Sequence, residues 1–147
     1  MGVTRSITME VLSRDKSIID CVDLLFKNGW TPFGRDNHIS VSDGDNIIDL
    51  DNIENLYTFV SEREKATAFC QINIWDISNQ ESILMLISPK EEKDIFKAFK
   101  ITFIPGTGKR LQGSIRYTDF SYYLERIIPL LEKNNFIFEE ISCRDLG

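Results

Sequence analysis

The chain has one histidine, His38, and only three cysteines, Cys21, Cys70 and Cys143, in 147 residues. No CxxC pair occurs and no cysteine stands near His38 in sequence, so neither a zinc-ligand spacing nor a Cys–His nucleophile pair is spelled out. An odd cysteine count without a pairing framework suits a reducing compartment. A serine triad would have to run through His38, and no G-x-S-x-G elbow is present. No apolar run approaches the ~20 residues that cross a bilayer. The opening stretch MGVTRSITMEV shows neither an apolar h-region nor a small-residue cleavage site. With four prolines, no low-complexity tract and no linker, the expectation is a single cytosolic domain over 1–147, with no membrane association and no cofactor. No motif identifies a reaction, so an enzyme is not expected.

What is present is a regular alternation of patterns. Residues 5–12 read as a strand. Residues 15–28 place Ile18, Ile19, Val22, Leu25 and Phe26 on one helical face, with Asp15 as the start signal and Gly29 as the stop. HISVS and NIIDL follow as two short strands around Asp43-Gly44-Asp45, a hairpin signal of the type I′ kind. A second helix is expected from Asp51, with Glu54 three residues on in a capping box and Ile53, Leu56, Tyr57 and Val60 inward. Residues 67–76 and 82–88 read as strands. Ser88-Pro89-Lys90-Glu91 looks like another capping box, opening either a short helix or a turn into the strand FKITFIPG. GSIRYT is a possible further strand. Residues 119–134 form a third helix with Phe120, Leu124, Ile127, Ile128 and Leu131 inward, and Pro129 predicts a kink or an early stop. FIFEEISC closes as a strand. The order implies an α+β fold, a mostly antiparallel or mixed sheet with about three helices packed on it.

Charge is unevenly distributed. Between residues 36 and 64 stand Asp36, Asp43, Asp45, Asp49, Asp51, Glu54, Glu62 and Glu64 against Arg63 alone, while the whole chain is −6. The net negative charge therefore comes from one hairpin–helix segment. A second stretch runs the other way, with Lys97, Lys100, Lys109, Arg110 and Arg116 and no acid between 97 and 116. Such fields steer association with oppositely charged partners. Much of the acidic stretch also has a local role, since Asp43 makes a turn and Asp51 and Glu54 start a helix.

Two sharper readings fail on spacing. An EF-hand starting at Asp43 would need a carboxylate at the fifth position and glycine at the sixth, where Ile47 and Ile48 stand. In IPGTGKRL, Phe103 occupies the first glycine position of a Walker loop and Arg110 stands where the magnesium-binding hydroxyl belongs. The Gly106–Gly108 loop still suits an anion, because glycines free backbone amides and Lys109 and Arg110 add charge. On the strand 67–76, Phe69, Gln71, Asn73 and Trp75 share one face, opposite Cys70, Ile72 and Ile74. That face becomes an interface if helices cover one side only; coverage of both sides is the slightly favoured expectation.

In size, charge layout and lack of catalytic motif the chain resembles the immunity proteins of bacterial polymorphic toxin systems, particularly those of contact-dependent growth inhibition. The resemblance implies a cytosolic inhibitor of a cognate toxin domain, often a nuclease with a basic cleft, and no direct contact with nucleic acid. Asp43, Asp45, Asp49, Glu62 and Glu64 would then face the toxin's basic residues, with Phe69 and Trp75 as anchors. Two alternatives stand beside it: a small-ligand or nucleotide-binding domain using Lys109 and Arg110, enzymatic or not, and an accessory subunit that associates through an exposed strand edge.

Overall fold

The structure is a computed structural model and describes residues 4–34, 36–77, 81–106, 112–113 and 118–146. Among these, the elements in chain order are β1 (Thr4–Ser13), α1 (Ile18–Phe26), β2 (Trp30–Thr31), β3 (Ile39–Ser42), β4 (Ile47–Leu50), α2 (Ile53–Lys65), β5 (Cys70–Asp76), β6 (Ser82–Lys93), β7 (Phe96–Pro105), α3 (Phe120–Lys133) and β8 (Ile137–Leu146). The strands make one sheet in the order β4-β3-β5-β6-β7-β1-β8, with β2 beside β5. Every pairing is antiparallel. The α+β expectation holds.

The helices cover one face. Ile7, Met9 and Val11 of β1 join Ile72 and Ile74 of β5, Ile83, Met85 and Ile87 of β6, and Phe99, Ile101 and Phe103 of β7 in one core with Val22 and Leu25 of α1, Leu56 and Val60 of α2, and Tyr123, Ile127 and Leu131 of α3. The alternate residues of the same strands, among them Gln71, Asn73, Trp75, Leu84, Leu86 and Ile104, lie outside that core and are only half-buried. The expectation that both faces of β5 are covered is therefore corrected: among the described residues, one face is open.

Several boundaries differ from the sequence reading. Helix α1 is capped by Ser17 rather than Asp15, with the Asp20 carboxylate accepting from Ser17 N at 2.7 Å. Helix α2 is capped by Asn52 rather than Asp51; its side chain accepts from Asn55 N at 2.9 Å. The expected helix at Ser88 is absent because β6 continues to Lys93, with Pro89 opposite Phe99. Strand β5 reaches only as far as Ile87 on the other side of β6, so Pro89 lies where one side of the strand is unpaired and its missing donor is tolerated. Helix α3 carries Pro129 and still runs on to Lys133 without an early stop. The segment GSIRYT falls largely outside the described residues.

Polar side chains tie the layers together. Tyr57 Oη donates to Asp23 Oδ1 at 2.6 Å, linking α2 to α1, and at the end of α1 Lys27 pairs with the same carboxylate at 2.7 Å. Asp76, buried at the end of β5, accepts from Tyr122 Oη at 2.6 Å and pairs with Arg126 Nε at 3.4 Å. Arg126 in turn stacks over the Tyr122 ring, 3.7 Å from its centroid.

Candidate binding groove on the open sheet face

The open face is a polar surface with an apolar centre. One continuous row crosses it through Ile47, Ser42, Gln71, Leu86, Thr102, Thr8 and Ser142. Small hydroxyl and amide side chains dominate, as on a solvated antiparallel sheet face. Toward the β4 side the surface deepens into a groove of about 480 Å³ lined by Gly34, Asp36, His38, Ser40, Asp49, Asn73 and Trp75.

Each wall has a local cause. Alternation along β5 turns Asn73 and Trp75 to the open face while Ile72 and Ile74 enter the core. A Cβ on Gly34 would stand 3.1–3.2 Å from the Trp75 ring, so the indole lies close against the Gly34 backbone. Asp49 sits opposite Ser40 in the β3–β4 ladder, with its carboxylate on the same side as Trp75. Asp36 Oδ1 accepts from His38 N at 3.4 Å, and His38 Nδ1 lies 3.6 Å from Asp51 Oδ1. Two carboxylates lining one groove with an indole favour a cation, through charge.

The β3–β4 hairpin that presents Asp49 is clamped from beneath. Asp43 Oδ1 accepts from Asp45 N at 2.9 Å and Asn46 N at 2.8 Å. Those backbone donors hold the Asp43 carboxyl below its ordinary range. Of the turn residues only Gly44 has a positive φ, +102°. The expected type I′ turn needs two positive φ angles, so the hairpin instead has the sign pattern of type II′. Arg63, the one base in the acidic stretch, donates from Nε to Phe69 O at 2.9 Å and from Nη2 to Asp43 O at 3.2 Å. It fastens α2 to the turn and to the entry of β5.

The structure divides the residues singled out in the sequence. Asp49 and Trp75 meet in the groove. Asp43 and Asp45 occupy the turn at the other end of the β3–β4 hairpin, beyond the Ser42–Ile47 pair, Asp43 being partly committed to its geometry. Phe69 packs on Gly44, whose added Cβ would approach its ring to 2.8 Å. Glu62 is exposed on α2, in the helix layer rather than on the open face. Glu64 accepts from Ile18 N at 3.3 Å, satisfying a free donor at the start of α1. The acidic stretch is split because the chain leaves the sheet edge after β4 and crosses to the helix side. Lys109 and Arg110 lie outside the described residues. Gly106 is described: its N–H donates to Ser82 O at 2.9 Å, so that amide is already engaged. Sequence reasoning counted Asp36 only as part of the acidic stretch and gave Gly34, His38 and Ser40 no place in a site. For Ser40 a signal existed, since alternation through HISVS sends His38 and Ser40 opposite to Ile39 and Val41.

Other candidates are less specific. A larger cavity of about 680 Å³ lies where β1 ends and α3 turns into β8, but Arg14 there already stacks on Phe96 at 5.7 Å. Burial pushes the Cys21 and Cys70 thiols up to about 12, which keeps them protonated at neutral pH. Among the described residues no group of three or more His, Cys, Asp or Glu side chains is placed to hold a metal ion. Among them, too, no helix is long and apolar enough to cross a membrane. No family model, curated protein or solved structure matches this chain.

Proposed function

We propose that the protein binds and neutralises a basic protein partner, in the manner of an immunity protein, with the groove at Trp75 and Asp49 as the contact that receives a partner's arginine or lysine side chain. The observation that carries the reading is the convergence of the Trp75 indole and the Asp36 and Asp49 carboxylates, from separate segments, into one groove on the uncovered side of the sheet. Asp43 and Asp45 add negative charge at the other end of the same hairpin, where rim charges speed association and add salt dependence. Trp75 supplies the buried contact area typical of an anchor. Glu62 and Glu64, on the helix layer, are left out of the interface.

The test is co-purification from the native host at low and moderate salt, together with protection of growth against toxin domains encoded beside the gene. One stoichiometric partner, lost in Trp75→Ala and Asp49→Asn and retained in Glu62→Gln, supports the reading. Equal loss in Glu62→Gln, or full protection by both groove variants, would remove the groove from the interaction.

A further inference from the structure

Strand β8 ends the sheet and pairs with β1 alone, so the outward backbone groups along its free edge face no strand among the described residues. Residues 139–144 are all exposed. Ser142 stands opposite Thr8 on the open face, with Glu140 two residues before it and Arg144 two residues after it on the same face. Glu140 and Arg144 are separated by ~13 Å along the strand, too far to pair with each other. Neither makes an ion pair among the described residues. Glu10, the residue opposite Glu140, is already held by Lys90 at 3.1 Å. On the other face Ile141 is 38% exposed, an aliphatic side chain left partly in water.

We propose that β8 pairs antiparallel with β8 of a second copy of this chain, about a two-fold axis through Ser142. An isologous contact of this kind must be self-complementary. In this register Glu140 of each copy faces Arg144 of the other, so both unpaired charges are matched twice over. Ile141 faces Cys143 on the helix side, which covers the aliphatic chain. A shift by one residue sets open-face residues against helix-face residues and is excluded by the pleat. Moving the axis to Ile141 sets Glu140 opposite Ser142 and Arg144 opposite Phe138; moving it to Cys143 sets Arg144 opposite Ser142. Charge therefore selects the Ser142 register. In this register Glu139, the extra residue at the β1–β8 irregularity, lies level with Asp145, and each is already engaged within its own copy: Lys93 holds Glu139 at 3.0 Å and Thr118 N donates to Asp145 Oδ2 at 2.6 Å. The opposite edge, β4, is four residues long and lies in the acidic stretch, so it offers no matching charge. The inference stands on β8 alone and does not depend on the toxin-binding reading.

The experiment is sedimentation equilibrium of the full chain in reductant, from low to high micromolar concentration. Wild type is expected to move from monomer to dimer. Glu140→Arg replaces two attractive pairs with two repulsive ones, and Arg144→Glu does the same with the other sign. Each single variant is expected to weaken the dimer by about tenfold or more, and salt to weaken the wild-type dimer. The double variant Glu140→Arg/Arg144→Glu restores both pairs and returns the mass. Both sites are exposed, and a circular dichroism melt confirms that each variant is folded. A wild type that stays monomeric throughout, single variants that dimerise like wild type, or a double variant that fails to recover would each overturn the proposal.

Discussion

Gly44→Ala probes the piece of structure that carries Asp49 to the groove. Gly44 has φ +102°, and a Cβ there would meet Phe69 Cε1 at 2.8 Å. An L-residue at a positive φ of this kind costs ~1–3 kcal/mol in backbone strain alone. Carbon atoms prefer to stand roughly 3.5–4.0 Å apart, so the ring must also retreat by about 0.7 Å or more. Overpacking of that order costs ~1–3 kcal/mol further. Gly29 provides the control: its φ is +96°, and a Cβ there would meet nothing within 4 Å. Gly29→Ala therefore carries the strain without the clash. Because ~1 kcal/mol lowers Tm by roughly 2–4 °C at this chain length, the two variants should differ by several degrees in thermal unfolding. Equal losses for Gly29→Ala and Gly44→Ala would refute the steric account. In a Phe69→Ala background the extra loss at Gly44 should vanish, a coupling readable as a double-mutant cycle.

Arg63→Ala removes the two carbonyl contacts that fasten α2 to the hairpin, each a charged-donor bond of ~1.5–3 kcal/mol at most. Arg63→Lys should recover only part of that in denaturant unfolding, because an ammonium lacks the fork that reaches both oxygens. A thiol reagent at mildly alkaline pH should label Cys143 in the folded protein and reach Cys21 and Cys70 only after unfolding, since burial holds those two thiols at about 12; labelling at Cys21 or Cys70 at the Cys143 rate would contradict their burial. Tyr57→Phe deletes the hydrogen bond to Asp23 and should cost ~0.5–1.5 kcal/mol at neutral pH. Lys27 and then Tyr57 hold the Asp23 carboxyl below its ordinary value. On acidification the unfolded chain therefore takes up the proton first, so this stabilisation is complete above about pH 4 and fades as pH falls toward the depressed folded value. The difference in stability between wild type and Tyr57→Phe should shrink over that interval.

The element types were legible along the chain because period and punctuation are local. Alternation in CQINIWD sorted Trp75 from Ile74 before any packing was considered, and the stripe of Leu56 and Val60 named the buried side of α2. Local signals that compete are another matter. Ser88-Pro89-Lys90-Glu91 carries a convincing helix start, yet continued pairing with β7 outweighs it, and only the reach of β5 explains why Pro89 is tolerated there. Asp51 and Asn52 are both good caps, and the chain's exit from β4 decides between them.

Apart from α3, where it passed over the fully buried Tyr123, the sequence alone determined the α+β class, the inward sides of α1, α2 and β5 and the concentration of acid between residues 36 and 64. These follow from composition and from periods of two and 3.6, which any chain folding locally must obey. Tertiary structure decided that, among the described residues, the helices cover one face only and β8 is left as an edge, and that Asp49 lines one groove with Trp75 while Glu64 turns away to cap α1. Those outcomes depend on strand order, and strand order depends on contacts between residues far apart in the chain, which no local pattern records.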